Sequence, residues 1–527
     1  MASIVRKKIG HQTYLYESES YRNEEGKPRN KRKYVGKIDP VTGNPIYKSE
    51  YLKQVSEKGK PIESLSVEPM FSVTAIKNSI IREFGAYYLF NQIANSSGLL
   101  DTLKDTFPYR WEQIFNLACY IVASGEPLMY CEDWIIKTEC IPCSSMASQR
   151  ISELFKSISV AERMNFYEKW SEFRCEQEYL ALDITSISSY SELIADVEWG
   201  YNRDKEKLPQ INLCLLMGEK TRLPVFQMVY SGSISDVSTL KTTLSLAETI
   251  PLSKATIVTD KGFCKVKNIN DLLTNEAEFK FLIAMSFTLK FAKEHIANEK
   301  SAIDKVENTI VLGDDILRGV TRECIWEKKY KVFVHIYYDP SHANHARDKL
   351  YGHVAKLVDY AKNDPDDTNH SKDFAKYLNI QKPKKEKSII TIRQEIIENE
   401  LSHTGWLVLV SNNISDTKDA ISIYRSKDVV EKGFMRMKNC LDLGRLRVHS
   451  DNAMQNKVFI GFIALIITSY IHNTMLEKEL YSSMTVKSLL KTLDKLRVQY
   501  INGSRVLYPI TKQQKIIFDA FGFGYPM

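Results

Sequence analysis

The chain lacks a long apolar run. The longest, Val458 to Ile471, is interrupted by Thr468, Ser469 and Tyr470, well short of the ~20 residues a membrane helix requires. It reads as a buried helix packed on a sheet, with no membrane partner. Met1 to Gly10 is charged rather than apolar, so no signal peptide is expected there and a cytoplasmic protein is. The nine cysteines are scattered, and only Cys140 and Cys143 stand in a CxxC pair, with Cys131 nearest. A zinc site needs two further ligands at suitable spacing. Reduced, mostly buried thiols are expected instead. An excess of charge is also missing: the net value is +7 in 527 residues, and 43% hydrophobic with 26% charged residues is a globular balance rather than a disordered one.

What charge there is collects in two places. Lys27 to Lys37, KPRNKRKYVGK, holds six basic side chains and no acid; Arg425 to Arg447 holds seven against Asp428, Glu431 and Asp442. Such patches are the footprint of an anionic partner. Residues 11–38 read as a β-hairpin, with Tyr14 and Tyr16 alternating with polar neighbours and Asn23-Glu24-Glu25-Gly26 as the turn. From about Ser72 to Glu178 the pattern is helical, with Ile80, Phe84 and Tyr88 at four-residue spacing and Ile151, Leu154, Phe155 and Ile158 on another stripe.

At Tyr179 the texture turns to strands. YLALDITSIS is apolar around Asp183; Gln210–Met217 and Leu223–Tyr230 flank a GEKT turn; a helix is expected from Asp236 to about Ile250; KATIVT then delivers Asp260 at its end; and Phe279–Met285 follows. This order predicts an α/β fold with a ribonuclease-H-like core, a mixed sheet flanked by helices that presents acids from adjacent central strands. Ser286 to Leu401, with a strand at Tyr330–Tyr338, a helix from Ala343 to Lys362 and the lysine-rich QKPKKEK, reads as an α+β insertion that does not continue the core. The strand Trp406–Val410 returns the chain, and the tail from Ser482 is an amphipathic helix with Leu489, Leu490, Leu493 and Leu496 on one face. The expected divisions are a basic hairpin region (1–60), a helical DNA-end-binding region (61–177), a first segment of the ribonuclease-H-like core (178–286), the insertion (287–401), a second segment of that core (402–480) and a helical tail (481–527).

Tyr424, Lys427, Glu431 and Lys438 lie at relative positions 0, 3, 7 and 14. On one α-helix at about 100° per residue they fall within an arc of roughly 60°. One face then carries a carboxylate with two ammonium groups and a phenol, able to hold a divalent metal and grip phosphate oxygens; a solvated amphipathic helix is the plainer alternative. Asp183 and Asp260 on apolar strands supply two further carboxylates, where a charge is costly unless paired or metal-bound. Hard ions such as Mg2+ take oxygen ligands, which makes carboxylates the fitting donors. Glu395, Glu398 and Glu400 are alternatives for the third acid but lack the companion lysine and tyrosine. His342, His345 and His353 cluster without a carboxylate pattern, and Asp314-Asp315 in LGDDILRG reads as a turn.

The blocks EYLALDITSIS, ATIVTDKGF and YRSKDVVEKGFMRMK, together with the GYNRDKEKLPQINLCLLMGEKTRLPVF segment, resemble the catalytic blocks of insertion-sequence transposases with a DDE triad. More narrowly the chain resembles the insertion sequence four superfamily, and its N-terminal hairpin resembles that of the sixteen-thirty-four group. The superfamily signature spaces tyrosine, arginine, glutamate and lysine as Tyr424, Lys427, Glu431 and Lys438 are spaced here, but lysine replaces arginine at 427. Lysine keeps the charge and loses the planar fork that binds phosphate bidentately. Arg425 points about 200° around the helix and does not substitute.

The resemblance implies that Asp183, Asp260 and Glu431 bind two Mg2+ or Mn2+ ions, and that Tyr424, Lys427 and Lys438 contact DNA. The implied activity is cut-and-paste transposition: hydrolysis at terminal inverted repeats, then transfer of the 3′ hydroxyl into target double-stranded DNA. A homodimer is expected, because two ends must be handled together. The resemblance also implies a DNA hairpin intermediate, for which Trp326 is a candidate stacking residue, although its strand alternates like a core strand. A catalytically inactive DNA-binding relative and a host nuclease are the competing functions.

Overall fold

The structure, a computed structural model, describes residues 3–10, 12–23, 26–39, 45–48, 51, 79–172, 174, 179–234, 255–274, 279–381, 388–502 and 504–527. They fall into two compact units, Met1–Ile81 with Val498–Tyr508, and Arg82–Arg497 with Pro509–Met527.

In the first unit the expected hairpin is part of a four-stranded antiparallel sheet. Its strands β1 (Ser3–Ile9), β2 (Gln12–Arg22), β3 (Pro28–Ile38) and β4 (Pro45–Tyr47) pair in sequence order. Gly26 takes the left-handed conformation at φ +72° and Asn23 Oδ1 accepts from the Lys27 amide at 2.9 Å, so both ends of the turn are built as turn chemistry requires; Glu24 and Glu25 lie outside the described residues. Leu15, Val35 and Tyr51 make the small core. From Pro28 to Lys33 every β3 residue is exposed, so Arg29, Lys31, Arg32 and Lys33 stand on a ribbon open on both faces.

The second unit begins with the end of strand β5 (Ile80–Glu83). The stripe expected through Ile80, Phe84 and Tyr88 is not one helix: Ile80 is exposed and the helix starts at Gly85. The Phe84 amide is bonded to the Leu496 carbonyl at 2.9 Å, and a backbone committed to that partner cannot also close a helical turn. Five further helices follow, Leu99–Thr106, Trp111–Ser124, Cys131–Lys137, Ser148–Ser157 and Val160–Glu172. Ile151, Leu154, Phe155 and Ile158 are buried as their spacing predicts.

Beyond them lies a large mixed sheet: β6 (Tyr179–Ser188), β7 (Gln210–Gly218), β8 (Pro224–Ser231), β9 (Thr256–Thr259), β10 (Lys280–Ala284), β11 (Thr309–Leu312), β12 (Asp315–Trp326), β13 (Tyr330–Tyr338) and β16 (Trp406–Ser411). Their spatial order is β11-β12-β13-β16-β10-β9-β6-β7-β8. Among these nine strands only β6–β9 and β9–β10 pair in parallel, which gives the mixed sheet of an α/β arrangement. The helix expected over Asp236–Ile250 lies outside the described residues.

The stretch read as an insertion differs from expectation. Strand β16 pairs with β10 on one side and with β13 on the other, so β11, β12 and β13 continue the central sheet. The consecutive burial of Val408, Leu409 and Val410 requires cover on both faces of β16 and fits an interior strand. What stands apart is a smaller lobe of the helices Pro340–Asn363, Ser371–Tyr377 and Gln394–Leu401 with the hairpin β14 (Leu378–Gln381) and β15 (Ile389–Ile392). It has its own core around Val354, Leu357, Phe374 and Ile397.

The apolar run falls in the 27-residue helix Asp451–Glu477, whose most apolar 18 residues have a mean hydropathy of 1.6. By length and composition it is long enough to cross a membrane, but 78% of that stretch is buried within the protein. A helix apolar all round is one enclosed on all sides. Phe459 sits at its centre, with ring centroids 5.2 Å from Phe166, 5.8 Å from Phe107 and 5.8 Å from Tyr167. The tail expected to be helical is only partly so: helix Val486–Leu493 opens with a capping box at Thr485 and Ser488 and buries Leu489, Leu490 and Leu493, but it ends before Leu496, and the strands Arg497–Ile501 and Ser504–Leu507 precede a last helix, Lys512–Phe521. Because Phe459 is fully buried among rings, Phe459→Ala is expected to cost about 3–5 kcal/mol. Chemical denaturation of the purified variant should show that loss as a lower midpoint.

Candidate active site

Asp183 lies inside β6, 5% exposed, with its Oδ1 accepting from the Ile184 amide at 2.8 Å. In the parallel pairing of β6 with β9 the last partners are Leu182 and Thr259. Asp183, still within β6, and Asp260, directly after the end of β9, are the next residues along each chain segment. Neighbouring strands are about 4.8 Å apart, so the two carboxylates arise side by side from the centre of the sheet. Asp260 is also half in a turn: its Oδ1 accepts from the Gly262 amide at 2.8 Å and caps the short helix Lys261–Phe263. The structure thus brings the two aspartates together, and Asp260 also serves as a cap.

The segment read as one helix is two. Thr417–Ser426 and Asp428–Asn439 meet at Lys427, where the Lys427 amide bonds Tyr424 O and the Val430 amide bonds Lys427 O, each at 3.2 Å and three residues apart. Lys427 keeps helical dihedrals through this tighter turn, φ -56° and ψ -18°, and still meets Glu431 four residues on. Tyr424 is packed against the core cluster that includes Val258, Leu282 and Ile421. Lys427 is buried, with Nζ 3.4 Å from Glu431 Oε1, while the Glu431 side chain is 63% exposed. Lys438 pairs with Asp204 at 2.6 Å. Arg425 turns to Asp315 at 2.7 Å, away from the site as its angle predicted.

Electrostatics nevertheless tie these residues together. Burial pushes the Asp183 carboxyl up; Arg203 and Lys427 pull it down, and the Asp260 charge adds to the rise. Burial likewise pushes the Tyr424 phenol far up, and Asp260, Glu431 and Asp183 each add to that shift. Tyr424 is therefore a neutral hydroxyl within the field of all three acids. It can donate to an anion without carrying charge.

A loop that composition does not single out bears on all of this. In the β6–β7 connection, Arg203 Nη1 is 3.0 Å from Asp183 Oδ1, Asp204 holds Lys438, and Glu206 takes a two-pronged pair from Arg445 with one arm at 2.7 Å. That guanidinium, first of all, holds the Glu206 carboxyl down at about 2. Its composition offers only the alternation of charge in NRDKE, which is ordinary in a solvated loop; the segment stands out through its family resemblance, which gives no role to Arg203, Asp204 or Glu206.

Other sequence candidates are placed elsewhere. Trp326 is 4% exposed, its Nε1 donates to Asn270 Oδ1 at 2.7 Å, and its ring meets Phe291 edge-on; it is a core side chain and is not available for stacking. Gly313 and Asp314 form the two-residue turn between β11 and β12. Glu395, Glu398 and Glu400 are on the lobe helix, where Glu400 pairs with Lys376 at 2.8 Å. His353 faces Asp373 at 3.5 Å. Cys131 is buried and Cys140 and Cys143 are half-buried; all are free thiols, and burial pushes the Cys131 thiol up to about 12. Among the described residues no group of three or more His, Cys, Asp or Glu side chains is gathered to hold a metal ion.

The donors still fit a hard divalent ion. Two aspartates stand at matching register, one of them buried and destabilised as an anion, and an exposed glutamate faces the same tyrosine. A model of the transposase DDE domain matches residues 174–467, more than half of the chain and the span that holds every one of these residues. The chain belongs to the DDE transposase family. DDE transposases are phosphoryl-transfer enzymes that use divalent metals and move DNA. No match was found among curated proteins. One solved structure, a piggyBac transposase synaptic complex with hairpin DNA, is similar at 12% identity and a TM-score of 0.34, over 70% of this chain and 62% of that one. This DDE transposase thus spans less than two thirds of the piggyBac chain.

Because burial outweighs the cations in raising the Asp183 carboxyl, its ionised form costs the fold stability above its folded pKa. That penalty fades as pH falls toward the unfolded aspartate value of about 3.9. Asp183→Asn should therefore melt no lower than the parent near pH 7.5, with any gain shrinking toward pH 4. A clear drop in melting temperature near neutrality would show instead that the Arg203 pair outweighs burial.

Proposed function

We propose that this chain is the transposase of an insertion sequence of the insertion sequence four superfamily, cutting at terminal inverted repeats and joining the freed 3′ hydroxyl to target DNA. The observation that carries the reading is the register of Asp183 and Asp260 on adjacent parallel strands, with Glu431 sharing their influence on Tyr424. In this reading Asp183, Asp260 and Glu431 hold two Mg2+ or Mn2+ ions. When bound, the ions supply activation of the attacking oxygen and charge relief at the leaving oxygen.

The chain's own residues do the rest. The β6–β9 pairing fixes two ligands on rigid strands, as a site that must be positioned before reaction requires. Glu431, exposed on its helix, turns from Lys427 toward the aspartates. Tyr424 donates its hydroxyl to a phosphate oxygen, and Lys438, released from Asp204, meets a phosphate as a point charge. Hydrolysis and strand transfer are both in-line displacements at phosphorus, so one set of residues serves the two steps. The basic β3 ribbon contacts the DNA backbone. Two copies of the chain act on the paired ends.

The test is nicking and joining of duplexes that carry the element's ends, in Mg2+ or Mn2+. Asp183→Ala, Asp260→Ala and Glu431→Ala should each lower both reactions by on the order of a thousandfold or more, with end binding retained. Cleavage unharmed by Asp183→Ala would overturn the assignment. End binding without cleavage by the parent chain would favour an inactive DNA-binding relative, and cleavage without joining would favour a nuclease.

A further inference from the structure

The superfamily signature has an arginine where this chain has Lys427, and that lysine is buried against Glu431 at 3.4 Å. A buried ammonium turned to a carboxylate is poorly placed to clamp a phosphate. A guanidinium does reach the site, but from a different element: Arg203 of the β6–β7 loop, 3.0 Å from Asp183. We propose that Arg203 is the phosphate-binding arginine of this active site, held by Asp183 in the free protein and released to a DNA phosphate when a divalent ion takes the Asp183 carboxylate. The inference rests on the transposase reading above and adds to it a residue that the signature does not contain.

Three features of the loop support this. Its backbone is fixed: the Arg203 amide donates to Ser186 Oγ at 3.1 Å, and Asn202 Oδ1 accepts from the amides of Asp204 at 2.9 Å and Glu206 at 3.2 Å. Only the side chain needs to move, and it is 27% exposed against 7% for Asp183, so the guanidinium has a path to solvent that the carboxylate lacks. The next residue, Asp204, holds Lys438 at 2.6 Å. One short loop therefore places a cation on the metal-binding acid and an anion on the phosphate-binding lysine. Each is the charge that metal and DNA would bring. Metal at Asp183 takes away the carboxylate that Arg203 holds, and the planar fork then offers a two-pronged phosphate contact of a kind Lys427 cannot make.

The experiment is equilibrium binding of a fluorescent duplex carrying the element's terminal sequence, titrated with salt, in Ca2+ and separately in EDTA. In Ca2+, Arg203→Gln should weaken binding about tenfold and lower the slope of log affinity against log salt by about one, the loss of one phosphate contact. In EDTA the slope should match the parent, because Arg203 then stays with Asp183. Arg203→Lys should keep the slope and lose severalfold in affinity. Mn2+ binding to DNA-free Arg203→Gln, followed by electron paramagnetic resonance, should tighten severalfold as the competing cation is removed. An unchanged slope in Ca2+, or equal affinity for Arg203→Lys and the parent, would overturn the proposal. Failure of the parent itself to bind the ends would instead overturn the transposase reading.

Discussion

The parallel pairing of β6 with β9 is the constraint on which the site depends. It places Asp183 and Asp260 at one register in the middle of a nine-stranded sheet, where the strands on either side leave no freedom to separate them. The same position makes Asp183 expensive. A carboxylate 5% exposed among Leu182, Ile184 and their neighbours loses hydration that an apolar strand cannot replace. The surroundings of the site can be read as an answer to that cost.

The answer is cationic and comes from separate elements. Arg203 reaches in from the β6–β7 loop, and Lys427 from the junction of two helices. At that junction the lysine is buried, Tyr424 rests on the core cluster, and Glu431 alone remains largely in solvent. Of the three acids, Glu431 is thus the exposed one, while Asp183 lies within β6 and Asp260 directly follows β9.

Much of this was legible in the sequence, and the features that were not share a cause. Strands around Asp183 and Asp260, the hairpin about the GEKT turn, the buried helix after Asp451 and the leucine face of the tail all follow from local periodicity and burial. Periodicity says nothing about which strand lies beside which. Hence β11 to β13, read as belonging to an insertion, joined the central sheet through β16. Nor does spacing report a change in helix winding, so the arc through Tyr424 and Lys438 was drawn on a helix that breaks at Lys427. The ion pairs of Arg203, Asp204 and Glu206 link residues far apart in the chain. A charged loop carries no mark of the partners it will meet. Trp326 was the reverse case, where alternation along its strand gave the buried answer and the appeal of an aromatic in an insertion pointed elsewhere.

The sheet extension also explains how Glu431 returns to the site after so long an interval. Strand β16 is held between β10 and β13, and the helix Thr417–Ser426 that follows it packs on β9 and β12. Glu431 is therefore carried back over the sheet on the second helix after β16, Asp428–Asn439, which packs on β6 and β7. The lobe between β13 and β16 leaves and re-enters at one point, because Tyr338 and Trp406 are cross-strand partners. Closing a loop between ends that the sheet already holds together adds only a slowly growing entropy with length. The lobe, with its separate core, can thus differ in size or content without moving the acids. Selection on what the lobe contacts is physically uncoupled from selection on the chemistry beneath it.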